Sequence, residues 1–190
     1  EISAAFVNGV QSKGIGTSLK HFAGNNQETR RMTCDTVVDE RALREIYLTS
    51  FEKTVKQAQP WTIMNAYNRL NGTYCAENKW LLTDVLRDEW GFNGIVVTDW
   101  GSPKETVTRI HAGNDLMMGG EPRQTKEIIE GVQNGTLSME DVDRNVKNVL
   151  RYILQTPTFK KYKASLNPDL KAHAKVSREA AVEGIVLLKN

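Results

Sequence analysis

A parallel α/β fold is the class this sequence predicts, and three observations predict it. Four short β-favouring runs alternate with amphipathic helical stretches, the order that builds a parallel sheet covered by helices. The clearest run, residues 94–98 (GIVVT), is continuously apolar, as a strand covered on both faces should be. Polar and charged residues gather just after the runs, at Lys20 and His21, Tyr67 and Asn68, Asp99 and Trp100, and Glu121. A (β/α)8 barrel of the TIM type places its active site there, on the loops at the carboxyl ends of its strands.

The elements follow in order. Residues 4–11 read as a short amphipathic helix that Gly14 closes, and residues 15–22 as a buried strand with polar residues arriving at its end. A polar loop over 25–31 leads to a strong helix over 39–57. Asp39 is its N-cap, and Leu43, Ile46, Tyr47, Phe51 and Val55 share one face. Residues 61–66 read as a strand, 67–77 as a loop and 80–90 as a helix, and the strand at 94–98 follows. A helix near 104–110, a short fourth strand at 115–118 (DLMM), and helices at 124–133 and 139–154 complete the alternation. Four strands are half of an eight-stranded barrel, so residues 1–155 read as its C-terminal half. Residues 156–175 are polar and proline-containing and read as a linker. Residues 176–182 then read as a helix and 185–188 (IVLL) as a strand, the start of a second domain at 176–190.

Bulk composition narrows the function classes. The 190 residues carry a net charge of +2, 39% apolar and 25% charged residues, the balance of a globular protein. That charge makes no case for nucleic acid or an anionic membrane as partner. The longest apolar run, at 184–188, is far too short to span a bilayer, and no secretory signal is visible. Cys34 and Cys75 lack metal-ligand spacing and read as two isolated buried thiols rather than a disulfide. The three histidines, His21, His111 and His173, are scattered, so no metal cage is expected.

Several residues carry candidate chemistry. Asp99 ends a buried strand, which would hold its carboxylate rigidly as a nucleophile; Gly101 lets the chain turn and Trp100 offers a face to a sugar ring. The plainer alternative is that Asp99 caps the next helix or pairs with a cation. Lys20 and His21 put two donors at one strand end, for sugar hydroxyls or an anion; Lys20 as a Schiff-base lysine, or a structural ion pair, are the alternatives. Arg31 offers a planar donor fork for vicinal oxygens, or is simply an exposed arginine. Tyr67 reads either as a hydrogen-bond partner for a carboxylate or as an aromatic packed under a loop.

The stretch LKHFAGNNQETRRM (19–32) resembles the KHF…NNQE signature of family 3 glycoside hydrolases of the β-glucosidase type. Residues 40–72 resemble the family's next block, LLTDVLRDEWGFNGIVVTDWG (81–101) its nucleophile block, and AGNDLMM (112–118) the strand that closes the barrel. EGIVLLKN (183–190) is similar to the opening of the family's second, α/β-sandwich domain. The resemblance implies that Asp99 is the nucleophile of a retaining, exo-acting enzyme that releases β-linked glucose through a covalent glycosyl-enzyme intermediate. It implies that Lys20, His21 and Arg31 bind hydroxyls of the glycosyl residue, that Tyr67 orients the nucleophile, and that Trp100 walls the pocket. Asn26 and Glu28, in the same signature, are expected to support the loop. No cofactor is implied, since the chemistry needs only carboxylates and water.

The second carboxyl group, the proton donor, is expected in the second domain beyond this chain; Glu121 is the local candidate. The first half of the barrel is also expected elsewhere, so the partners implied are a β-glucoside or oligosaccharide and the remaining segments of the same enzyme. Homo-oligomerisation stays open. The compartment is not fixed, with a lean on resemblance alone to a bacterial intracellular enzyme. The competing readings are a family 3 β-xylosidase, a catalytically incomplete carbohydrate-binding piece, and a Lys20 aldolase. A bacterial N-acetylglucosaminidase of the family is disfavoured, because no Asp-x-His triplet is present and Asn25 to Glu28 occupies the loop after the Lys-His pair.

Overall fold

The computed structural model describes residues 1–102 and 105–189. It divides into two compact units, Glu1–Lys160 and Lys161–Asn190. In the first, α1 (Ile2–Gln11), β1 (Ser18–Phe22) and β2 (Asp35–Thr36) lead into α2, residues 40–58. Then come β3 (Thr62–Asn65), β4 (Arg69–Leu70), β5 (Thr73–Tyr74), α3 (Trp80–Glu89) and β6 (Ile95–Val97). Helices α4 (Thr106–Ala112), α5 (Pro122–Gln133) and α6 (Met139–Gln155) complete it.

Strands β1, β3 and β6 lie parallel in that spatial order, with Ser18 opposite Thr62 and Thr62 opposite Ile95. Each is three to five residues long, shorter than the apolar run around it, because the flanking residues leave the ladder for loops. The fourth expected strand, 115–118, is reduced to one parallel bridge between Val97 and Leu116. The reason is local. Asp115 Oδ2 accepts the Val96 backbone N–H at 2.8 Å, so a side chain takes the place of a ladder bond. Met118 N then turns to Thr98 Oγ1 at 2.9 Å.

Helix α2 begins at the Asp39 cap, whose carboxylate accepts from Ala42 N at 2.9 Å. A wider turn over Leu43–Leu48 rotates its buried stripe, so Leu48 faces the core and Ile46, expected there, is 69% exposed. Phe22, at the end of β1, meets Phe51 of α2 and Trp90 after α3 at ring-centroid distances of 5.1 and 5.8 Å. Around them Leu43, Val55, Ile63, Leu82, Leu86 and Val96 are fully buried, which fixes the carboxyl ends of the strands against the helices.

A small second sheet, which the alternating pattern did not foretell, organises the loops above that core. β2 runs parallel to β4, and β4 antiparallel to β5 through Asn71 and Gly72, both at positive φ. Asn-Gly is a strong signal for such a two-residue hairpin, set here in a stretch read only as loop. Buried Asn68 ties the two loops together, its Nδ2 donating to Ala23 O and Thr36 Oγ1, each at 3.2 Å.

Three further boundaries differ from expectation. The helix placed near 104–110 is α4, starting at Thr106, and Lys104 lies outside the described residues. In the second unit the helix expected at 176–182 is α7 (Leu170–Gly184), capped by Asp169 accepting from Ala172 N at 3.0 Å. The end of the expected linker, residues 170–175, is therefore helical, because its Lys and Ala residues are good helix formers once Asp169 caps them. Residues 185–188 form no ladder with other described residues, and β structure requires a neighbouring strand.

Candidate active site

The carboxyl ends of β1, β3 and β6 deliver their next residues to one place. Asp99, two residues past β6, is 8% exposed and faces His21, with Nε2 to Oδ2 at 3.4 Å. The Trp100 backbone N–H donates to Asp99 Oδ1 at 2.7 Å, and Ser102 N to the Asp99 carbonyl at 3.2 Å. Asp99 thus holds its own turn in place through Oδ1 while Oδ2 faces His21. Gly101, at φ +71°, adopts the left-handed conformation that turns the chain away from the carboxylate.

Tyr67, two residues past β3, is buried and donates its hydroxyl to the Trp100 carbonyl. Burial, then the charge of Asp99, push its phenol above the ordinary tyrosine range, and Arg31 works against that shift. The Arg31 guanidinium lies over the Tyr67 ring at 4.8 Å and donates to Glu28 at 2.8 Å. Glu28 also accepts from Asn25 at 3.4 Å, so this carboxylate steadies the loop that presents Arg31. Arg31 is held, and is not simply an exposed arginine.

Asp99, His21, Tyr67, Arg31 and Trp100 are therefore drawn together. Trp100 is 61% exposed, so its indole is open to a flat partner. Lys20 is exposed beside His21, and its side chain forms no hydrogen bond or ion pair with the described residues. Glu121 starts α5: its backbone N–H donates to Gln124 Oε1 at 3.1 Å, and its carboxylate lies 3.5 Å from Arg123. Both cysteines are free thiols; Cys75 is buried as expected, and Cys34, expected buried, is partly exposed. Burial pushes the Cys75 thiol up to about 12.

Two buried groups near the site escaped the sequence reading. Asp115 binds Arg87 Nη2 at 2.5 Å and accepts from Asn148 at 2.9 Å, besides Val96 N. Burial pushes its carboxyl up, and those donors oppose the shift. Arg109 of α4 is 3% exposed. Its spacing from Thr106, Ile110 and Gly113 follows the buried stripe of the helix, which was the available signal.

A buried carboxylate at the end of a parallel strand, ringed by an imidazole, a phenol and an arginine, describes a carboxylate-centred site on a parallel α/β protein. The model of the glycosyl hydrolase family 3 N-terminal domain matches residues 1–152. The chain belongs to glycosyl hydrolase family 3. It is 51% identical, over its whole length, to the thermostable β-glucosidase B of Acetivibrio thermocellus, of which it covers 25%. It is 49% identical over 97% of its length to an exo-α-(1→6)-L-arabinopyranosidase of Bifidobacterium longum, covering 24% of that protein. Among solved structures, β-glucosidase 3B of Thermotoga neapolitana in complex with α-D-glucose superposes with a TM-score of 0.93 at 51% identity. That match covers 98% of this chain and 27% of the other. The chain thus spans about a quarter of the length of these relatives.

Proposed function

We propose that this chain supplies the nucleophile and part of the sugar pocket of a retaining, exo-acting β-glucosidase. The observation that carries the reading is Asp99, buried at the end of β6 with Oδ2 turned toward His21. In the proposed first step Asp99 Oδ2 attacks the anomeric carbon, the bond to the aglycone oxygen breaks, and that oxygen takes a proton from a general acid. Water then attacks the ester and releases the sugar, with the same acid group now accepting the proton. Retention requires the two carboxyl groups about 5–5.5 Å apart. With Glu121 beside Arg123 at the start of α5, the donor is assigned to segments of the enzyme beyond this chain.

The remaining residues take roles that fit their chemistry. Arg31, His21 and Lys20 donate to glycosyl hydroxyls, Trp100 stacks on the ring, and Tyr67 fixes the turn that carries the nucleophile. In the same reading, β1, β3, β6 and the Leu116 segment are four consecutive strands of a (β/α)8 barrel. Their parallel order supports this, as do the exposed apolar side chains Ile2 and Phe6 on α1 and Leu150 and Leu154 on α6, which suit coverage by further elements. The second unit is read as the start of the following domain.

A pentopyranosidase is the second reading, favoured by the arabinopyranosidase relative at almost the same identity as the glucosidase. L-Arabinopyranose lacks the hydroxymethyl group of glucose and is inverted at C4; loss of the hydroxymethyl contact alone is worth only about 1–3 kcal/mol in a pocket. The test is mass spectrometry of the complete enzyme after treatment with 2-deoxy-2-fluoro-β-glucosyl fluoride. A glucosyl adduct on the peptide bearing Asp99 is the expected result. An active enzyme labelled on another carboxylate would overturn the assignment, and labelling only by the pentosyl reagent would select the second reading.

A further inference from the structure

Beside Trp100 the chain borders an open cavity of about 630 Å³ that, Trp100 apart, none of the proposed glycosyl-binding residues lines. In the sheet order β1–β3–β6, the glycosyl-binding residues follow β1 and β3, on one side of Asp99. The cavity lies on the other side, between the turn after β6 and the segment after Leu116 that bridges to Val97. Trp100 and Met118 form its walls, and Ser102, Arg109 and Gln124 reach it from the turn, α4 and α5.

Two of these groups are buried with a polar atom that has no partner among the described residues. Ser102 is 6% exposed and its hydroxyl has no hydrogen-bond partner among the described residues. Arg109 is 3% exposed, its Nε is likewise unpartnered, and its guanidinium forms no ion pair with a described carboxylate. A buried guanidinium carries the desolvation cost of a full charge, which native structures offset with a paired acceptor. Here burial pulls Arg109 below the ordinary arginine range, and the more distant Glu77, Glu121 and Glu127 oppose that pull. Among the described lining residues the formal charges cancel, Arg109 and Arg123 against Glu105 and Glu121, and Arg123 is already satisfied by Glu127 at 2.5 Å. What the cavity offers a ligand is therefore one unspent planar donor fork, with a hydroxyl and an exposed indole nearby. That set fits a carboxylate better than a neutral group, because a guanidinium binds carboxylate through two parallel charge-assisted bonds.

We infer that this cavity is an acid-recognising subsite for the leaving group, in which Arg109 and Ser102 hold a carboxylate carried on a small aromatic aglycone stacked against Trp100. The inference rests on the reading of Asp99 as the glycosidase nucleophile. Arg109 is a specificity residue in this account, and the bond-breaking steps are unchanged.

The test uses the complete enzyme and a matched pair of substrates, 4-carboxyphenyl and 4-carbamoylphenyl β-D-glucoside. The wild-type ratio of their kcat/KM values is compared with the ratio in Arg109→Met and in the smaller change Ser102→Ala. A carboxylate bond to a buried guanidinium predicts a fall in the acid-to-amide ratio of about tenfold or more in Arg109→Met, and a smaller fall in Ser102→Ala. Product inhibition of the wild type supplies the same comparison without a variant, with 4-hydroxybenzoate expected to bind about tenfold tighter than 4-hydroxybenzamide. Equal ratios in wild type and variants, or equal inhibition by acid and amide, would overturn the inference. If hydrolysis and an Asp99 adduct are present in that case, only the subsite fails. If neither glucoside is hydrolysed and no adduct forms, the glucosidase reading itself has failed.

Discussion

Asp99 and Tyr67 are coupled through one turn, and that coupling can be measured. Tyr67 gives its hydroxyl to the Trp100 carbonyl, and Asp99 draws in the Trp100 N–H, so the two grip the same residue from both ends. Because the Tyr67 phenol is pushed upward, first by burial and then by Asp99, its neutral form is the one the fold prefers. Its contribution is therefore complete below the usual tyrosine value of about 10 and is lost as pH rises through Tyr67's own higher value. Ultraviolet titration of the wild type against Tyr67→Phe should show the missing tyrosinate signal at the alkaline end. Asp99→Asn should move that signal to lower pH and, in the proposed role of Asp99, lower kcat of the complete protein roughly a thousandfold or more, the scale on which loss of a nucleophile acts. Five of the six residues named from sequence, Asp99, His21, Arg31, Tyr67 and Trp100, converge in space because strand ends are legible from apolar runs. Arg109 and Asp115 were not legible in this way. What makes them notable is a missing or an unusual partner, and partners are set by tertiary packing.

At the scale of elements, β6 is held on its two edges by different chemistry. β3 bonds one edge through the ladder, and on the other edge the Asp115 carboxylate takes Val96 N while both Asp115 N and Leu116 N turn to the Val96 carbonyl. Arg87 of α3 and Asn148 of α6 fix that carboxylate, so two helices and a strand meet at one buried group, bonded to Val96 three residues before Asp99. Removing one partner of a buried ion pair leaves the other uncompensated. Arg87→Met should therefore lower unfolding stability by about 3–5 kcal/mol, read as a shifted denaturant midpoint of the complete enzyme. A shift within about 0.5 kcal/mol, the range of an ordinary surface change, would show the pair to be dispensable. The same group explains why the fourth strand misread: DLMM has strand composition, but its first side chain does the work of a backbone donor's partner. The hairpin at Asn71–Gly72 is the opposite case, a local signal present in the sequence and masked by the polar residues around it.

Across the whole molecule, the described chain keeps much apolar surface in the open. On α1, Ile2 and Phe6 are 89% and 70% exposed, and on α6 Val146, Leu150 and Leu154 are each at least half exposed. Patches of this kind seek a partner, whether further segments of the enzyme or another copy. The 190 residues alone are therefore expected to self-associate in sedimentation velocity, with the weight-average coefficient rising with concentration. A monomer at every concentration would mean these faces need no cover. Alternation of strands and helices was readable because each signal is local. The division into two units was less so, since the Asp169 cap turns a stretch that reads as polar linker into helix.

The two thiols are unequal in a way that gives the chain a built-in reporter position. Cys75 sits under the hairpin, its Sγ on the Ala23 carbonyl, with too little thiolate at neutral pH to react. Cys34 is partly exposed on the segment that carries Arg31, its backbone N bonded to Arg30 O and its carbonyl to Arg69 N. A maleimide fluorophore applied to this chain would settle on Cys34 and leave Cys75 untouched. Its emission would follow the loop over the proposed sugar pocket as ligands come and go, with no engineered cysteine.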